Sequence, residues 1–320
     1  MLKHQAEKAY LNESFLVSPE ARLLRILAEY MEPRSRLAKE RIKDTIVFFG
    51  SARIKSLEEA SADRLKVVHS DSLVTRSGAS SEEIKKELDA ARRRAEIEEK
   101  MAHYYVDAVE LARLITEWSM HVAISDEERK QKKNGEPKER IPFVSLENVK
   151  NLSFKQRYVI CSGGGPGIME AANKGATLAG GRTIGFNISL PFEQMPNPYI
   201  SDDLNFEFHY FFMRKFWFAY LGKALVVFPG GYGTVDELFE CLTLVQTGKI
   251  KKKMPIIVYG SEYWKKVVDL NFLADMGMID RNDLDLIHFS DTPQEAFTYL
   301  KTELERLDEG EESFLHSNPR

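Results

Sequence analysis

The stretch 224–246, ALVVFPGGYGTVDELFECLTLVQ, constrains the fold of this chain more than any other part. Its opening run, 224–228, is continuously apolar with β-branched residues, as expected of a strand buried on both faces of a parallel sheet. Pro229-Gly230-Gly231-Tyr232-Gly233 then stops any helix or central strand, and from Thr234 onward Leu238, Leu242 and Val245 recur at helical spacing. The order is strand, glycine loop, helix. Glycines let a backbone close tightly on a ligand, and a helix start offers unpaired N–H groups and the positive end of its dipole. Such a loop suits an anion.

The same grammar occurs upstream. Residues 158–162 read as a strand, Gly163-Gly164-Gly165 as a loop, and Pro166 onward as a helix with Ile168, Ala172 and Ala176 on one face. Proline is at home in a first helical position, where its missing N–H would have no partner anyway. A third strand, 46–49, ends in Gly50-Ser51. In an open parallel sheet such ends lie along one edge, where ligands bind. Taken singly, each turn serves equally well as a tight connection without a ligand. Neither fits a dinucleotide fingerprint, nor a Walker loop, because no Gly-Lys-Ser or Gly-Lys-Thr follows the glycines.

Composition narrows the class. Of 320 residues, 43% are apolar and 29% charged, ordinary for a globular chain, and 45 basic against 49 acidic side chains leave no surplus charge to attract nucleic acid. No apolar run reaches the roughly 18 residues of a membrane helix, and MLKHQAEKAY lacks the apolar centre of a secretory signal. Cys161 and Cys241 are the only cysteines and form no metal-ligand or disulfide pattern, so a reducing cytoplasm is expected and no metal is implied. Cys161, just before a glycine loop, invites a nucleophile reading, but a small buried hydrophobe fits its strand-end position better.

Along the chain, 1–43 read as a helical extension with Leu23, Leu24, Leu27, Tyr30 and Met31 on one face behind Ser18-Pro19-Glu20, packing on the domain or on a partner subunit. The main domain, 44–307, carries an insertion at about 55–100. Its segment 81–100 has both signs of charge and a thin stripe of Ile84, Leu88, Ala91 and Ala95, which predicts a projecting, solvated helix. An amphipathic helix at 104–118 follows. A second insertion, 125–154, has the composition of a mobile loop. Further strands are expected at 183–188, 205–210, 255–259 and 286–289, and helices at 211–220, 263–273 and 293–307, with a disordered tail at 308–320. The alternation predicts an α/β fold: a doubly wound, Rossmann-like parallel sheet of about seven strands with helices on both faces.

Two side chains stand out chemically. Glu237 follows Thr234 by three, which also fits a capping box in which the carboxylate merely satisfies a backbone N–H. Arg214 stands near a helix start, where its charge opposes the dipole; a bound anion or carboxylate would relieve that mismatch, and a plain surface cation is the alternative.

The string Pro229-Gly230-Gly231-Tyr232-Gly233-Thr234-Val235-Asp236-Glu237 fits the PGGxGTxxE signature of the LOG ("lonely guy") family, often labelled lysine decarboxylases. The chain resembles that family also at Phe49-Gly50-Ser51-Ala52-Arg53, at GGGPGIME from Gly163 to Glu170, at Met213-Arg214-Lys215 and at Leu244-Val245-Gln246-Thr247-Gly248-Lys249. The resemblance covers most of 44–300. It implies hydrolysis of the N-glycosidic bond of a nucleoside 5′-monophosphate, AMP or an N6-substituted relative, giving free base and ribose 5-phosphate. It also implies a homodimer or larger homo-oligomer, with Arg214 and Glu237 required for activity. On this basis Gly230, Gly231, Gly233 and Thr234 are expected to hold the 5′-phosphate, while Ser51, Gly163, Gly164, Gly165, Met213, Lys215 and Asp236 serve ribose and base. A carboxylate at a helix N-terminus is expected to have a lowered pKa, favouring an electrostatic role beside C1′ over proton transfer. No cofactor is called for, since no lysine site for pyridoxal phosphate is evident. A nucleotide or cofactor carrier of the same fold, without turnover, is the alternative.

Overall fold

The computed structural model describes residues 7–77, 82–134, 156–190 and 195–317. Short helical turns at Ala9–Leu11, Glu13–Leu16 and Pro19–Ala21 lead into α1 (Arg22–Lys39). Then follow β1 (Thr45–Phe49), α2 (Leu57–Ser77), α3 (Glu82–Met101), α4 (His103–Asn134), β2 (Val159–Ser162), α5 (Ile168–Leu178), β3 (Thr183–Ile188) and β4 (Asn205–Phe208). The second half holds α6 (Phe211–Leu221), β5 (Gly222–Val227), α7 (Tyr232–Gln246), β6 (Ile256–Tyr259), α8 (Ser261–Val267), α9 (Leu270–Asp275), β7 (Ile287–Ser290) and α10 (Pro293–Ser317).

The strands form one seven-stranded sheet in the order β4-β3-β2-β1-β5-β6-β7, every pair parallel. The expected fold class is the observed one. Alternation within β1 sorts its side chains onto the two faces. Val47 and Phe49 join a core with Trp217 and Phe218 of α6, Leu238 and Cys241 of α7 and Trp264 of α8. Ile46 and Phe48 join a second core with Tyr105, Leu111 and Ile115 of α4, Ile168 and Ala172 of α5 and Leu300 and Leu304 of α10. Both faces of every central strand are therefore covered, which is why the strands read as unbroken apolar runs. From β1 the chain passes to β2 on one side, and after β4 it crosses back to β5 on the other, so the order reverses between β1 and β5. A crevice opens outside the carboxyl ends of strands at such a point.

Several boundaries differ from those the sequence suggested. The long first insertion is a pair of helices: α2 and α3 pack on each other, with Lys55 bridging Asp63 (2.9 Å) and Glu98 (2.8 Å). As expected, α3 is exposed along most of its length, with Ala95 buried. The expected mobile loop from 125 begins inside α4, which continues to Asn134. Asp, Glu, Arg, Lys and Gln tolerate a helix well, and no breaker occurs before Asn134-Gly135. Residues 135–155 of that segment lie outside the described residues. The helix expected at 263–273 is two helices, because the Asp269 side chain caps a new start by accepting from Phe272 N (3.0 Å). Pro166 precedes α5 rather than opening it, since Gly167 is its N-cap.

The tail is corrected too. α10 runs past 307 to Ser317, and Asp308 is anchored rather than disordered: it accepts from both terminal nitrogens of the buried Arg157 (2.7 Å each) and from the Tyr158 hydroxyl (2.5 Å). Asp44 completes this cluster at the amino ends of the strands, accepting from Tyr158 N (2.7 Å). Burial raises the Asp44 pKa against the pull of Arg157, whereas the bonds from Arg157 and Tyr158 overcome burial at Asp308 and lower its pKa.

Candidate functional site

At the carboxyl ends of β1 and β5 the two chain segments are stitched together. Phe228 N donates to Phe49 O (2.8 Å) and Ser51 N donates to Pro229 O (3.0 Å). Above this seam lies a cleft of about 630 Å³, within the size range of small-molecule sites. One wall comes from Phe49 through Arg53, another from Gly230 through Glu237, and Met169, Phe211, Arg214, Tyr263 and Val267 complete it.

The glycines of the Pro229 loop have different reasons to be there. At Gly230 a Cβ would collide with the Thr234 side chain, so the turn itself demands glycine. At Gly231 and Gly233 a Cβ would meet no protein atom, and Gly231 has an unstrained φ of −91°. The fold does not require glycine at these two positions; close approach of something held in the cleft would. Helix α7 begins at Tyr232, two residues earlier than its apolar spacing suggested, with Gly231 as N-cap. The amides of Tyr232, Gly233 and Thr234 thus belong to the first turn, the part of a helix whose N–H groups lack intrahelical partners. The loop is braced by Tyr263, whose hydroxyl donates to Gly230 O (2.8 Å). Sequence reasoning missed Tyr263, and nothing local to it carries a signal.

The earlier start of α7 removes the capping-box reading of Glu237. Thr234 is inside the helix rather than at its N-cap, and Glu237 sits nearly two turns in. The Glu237 carboxyl is buried, and burial raises its pKa to about 7 even though Lys215 and Arg214 nearby pull it down. The expected lowering at a helix N-terminus is overturned: desolvation outweighs the dipole at this depth. Arg214, from α6, lines the cleft opposite; burial lowers its pKa and the Glu237 charge opposes that. Its Nε donates to Phe186 O (2.8 Å) and its guanidinium lies 5.3 Å from the Phe218 ring.

The remaining candidates divide. Ser51 and Asp236 line the cleft, with Asp236 exposed. Lys215 does not: it is ion-paired to Asp236 and Glu240 (2.7 Å each), tying α6 to α7. Burial works against its ammonium, but these carboxylates win and raise its pKa. Met213 is buried in the core on that face of the sheet. Gly163, Gly164 and Gly165 are buried behind Arg214 and Met169 and do not line the cleft. Cys161 is fully buried, which pushes its thiol well up and leaves it a core residue. Arg53 was noted only within its motif; it stands exposed on the cleft wall.

The molecule is thus a doubly wound parallel α/β protein with a glycine-turned helix start and a buried carboxylate facing one cleft at the topological switch point. The resemblance to the LOG family stands: the family model described as "Possible lysine decarboxylase" matches residues 169–300. A "Pyrimidine/purine nucleotide 5'-monophosphate nucleosidase" of Escherichia coli K12 is 31% identical over 132 residues, 37% of this chain. The matched stretch spans 28% of that relative's length, and the same holds for its counterpart in E. coli O157:H7. Among solved structures, "the molybdenum cofactor binding protein" from Rippkaea orientalis aligns with 63% of this chain and 88% of its own at 19% identity, TM-score 0.36. The "Moco Carrier Protein" of Chlamydomonas reinhardtii aligns with 64% and 89% at 20% identity, TM-score 0.35. Neither likeness speaks to the ligand of this chain. The described residues that line this cleft include no lysine. Among the described residues, no helix is long and apolar enough to cross a membrane.

Proposed function

We propose that the protein is a phosphoribohydrolase acting on nucleoside 5′-monophosphates. The observation that carries this reading is one helix supplying both halves of the chemistry: free first-turn amides flanked by Gly231 and Gly233, and Glu237 buried on the same cleft. Tyr232 and Glu237 lie five residues apart on the helix, a rise of about 7.5 Å, so the phosphate and the sugar ring are met by neighbouring turns. The nucleosidase name of the E. coli relatives supports the same class.

In this mechanism the phosphate docks on the amides of Tyr232, Gly233 and Thr234, where charge-assisted bonds and the helix dipole favour an anion. The ribose then lies along α7 with C1′ against Glu237. As the C1′–N bond breaks, its electron pair leaves with the base, which takes up a proton from solvent, and positive charge develops on the ribose ring. The Glu237 carboxylate stabilises that charge in a site with little water to screen it. Water adds to C1′, and with its pKa near 7 the same carboxylate is suited to accept the water's proton. Arg214 favours the ionised form of Glu237, and Ser51 and Asp236, which line the same cleft, are assigned to the sugar hydroxyls. The test is base release from AMP, adenosine and ATP side by side, extended to N6-substituted and pyrimidine monophosphates. Turnover confined to monophosphates is expected; tight binding of AMP without base release would favour the carrier alternative.

The protein is further proposed to be a homodimer. Phe211, Phe212, Phe216 and Tyr220 of α6 are exposed, as are Leu23, Leu24, Leu27 and Met31 of α1. The two helices pack together through Tyr30 against Phe216 and Trp217 (5.6 and 6.0 Å), placing much apolar surface on one side of the molecule.

A further inference from the structure

The loop Gly163-Gly164-Gly165 is buried, and three of its polar atoms are bonded within the protein. Gly164 N donates to Ser162 Oγ (3.1 Å), Gly164 O accepts from both Asn197 N (2.8 Å) and Asn197 Nδ2 (3.0 Å), and Gly165 O accepts from Asn197 Nδ2 (3.1 Å). Asn197 is itself buried and locked: its Nδ2 also donates to Asn173 Oδ1 (2.9 Å) and its Oδ1 accepts from Tyr199 N (3.2 Å). Asn173, with no exposure at all, accepts from Ser162 Oγ (2.7 Å) and donates to Ile184 O (3.3 Å) and the Thr183 hydroxyl. A buried network with every member satisfied holds one geometry firmly.

What that geometry serves is visible on the other side of the loop. A Cβ at Gly163 would strike Nη2 of Arg214 and the sulfur of Met169, so the guanidinium rests directly on the bare backbone of Gly163. Gly164, at φ +77°, leaves the chain in a conformation that only glycine adopts easily, and a Cβ there would strike Asn187. Asn187 in turn donates to Asn205 Oδ1 (2.7 Å) and Phe206 O (2.9 Å), holding its own place. Arg214 is thereby held between two backbone features: its Nε bonds Phe186 O, and its terminal nitrogen abuts Gly163.

We propose that Asn197 is a positioning residue that, by clamping the Gly164 and Gly165 carbonyls, holds the glycine loop as a seat for the Arg214 guanidinium in the cleft. The proposal rests on the phosphoribohydrolase reading only for its kinetic consequence; the seat itself is a structural claim. A misplacement of about 1 Å at a reacting centre lowers rate by about a hundredfold, so Asn197→Ala should lower kcat for base release by that order. Ribose 5-phosphate should still bind Asn197→Ala with wild-type stoichiometry in calorimetry, because its phosphate docks on α7. A variant that was merely misfolded would lose stoichiometry in proportion. Asn197→Asp keeps the size of the side chain but loses the Nδ2 donor to Gly164 O and Gly165 O, so it should reproduce the fall in kcat and decides the matter if Asn197→Ala does not fold.

Crystal structures of the two variants keep this test separate from the proposed function. The expected result is a displaced guanidinium with its Phe186 bond lost and the Gly230–Gly231 turn unmoved. An Arg214 that stands in its wild-type position in both variants overturns the proposal. If the wild type releases no base from any monophosphate, the functional reading fails, while these structures still decide whether the loop seats Arg214.

Discussion

Glu237 titrates near neutrality because its helix buries it, and this makes the residue testable in two ways. Its ionised form should be the active one, so kcat/KM for a monophosphate should rise with pH through about 7 and level off above. Glu237→Gln should keep the fold, lose that limb, and lower turnover by several orders of magnitude. The second test is stability. A carboxyl whose folded pKa of about 7 lies above its ordinary 4.5 holds its proton longer in the folded state. Stability is therefore greatest below 4.5 and declines as pH rises towards 7, by at most about 3 kcal/mol from this group. Urea unfolding of wild type and Glu237→Gln from pH 4 to 8 should show a difference that grows with pH in favour of the glutamine. Wild-type activity in Glu237→Gln would remove the residue from the mechanism.

At the scale of the element, α7 is where sequence and structure agree most and also where they part. The strand before it and the glycine break were legible because an apolar run and three glycines in five residues leave few alternatives. The first turn was not, because Tyr232 and Gly233 carry no apolar spacing, and that shift of two residues separates a capping role for Glu237 from a buried one. Residues whose parts are played across the fold were invisible: Tyr263 braces Gly230 from α8, and Asn197 clamps a loop 33 residues away. The two glycines with empty space beside them supply a sharp experiment. Gly231→Ala and Gly233→Ala should cost less than about 1 kcal/mol of stability. They should nevertheless raise KM for a monophosphate at least tenfold while leaving any slow turnover of the free nucleoside unchanged. Equal effects on both substrates would mean that the turn does not meet the phosphate. At the opposite end, Asp308→Ala should lower the melting temperature, costing about 1–3 kcal/mol through loss of its bonds to Arg157 and Tyr158, without changing KM.

For the whole molecule, the apolar surface on α1 and α6 predicts association. Sedimentation at micromolar concentration should give a dimer, and Phe216→Asp should shift it to monomer; a wild-type monomer would refute the interface. The apolar face of Leu23, Leu24, Leu27, Tyr30 and Met31 was legible in the sequence, and in the structure Leu23, Leu24, Leu27 and Met31 of it are exposed. The sheet order has one more consequence, for how the molecule comes to be. The seam beneath the cleft pairs Val47 with Leu225 and Phe49 with Val227, segments that a great length of chain separates. Closing so long a loop is entropically unfavourable until much of the intervening chain has collapsed, and such pairings slow folding. The cleft should accordingly be a late acquisition: a ribosome-bound chain halted before β5 could assemble β1 through β4 with α4 and α5 and still have nowhere to put a nucleotide. In pulse-labelling hydrogen exchange during refolding, the amides of Ile160 and Ile184 should gain protection before that of Phe228, which closes the seam.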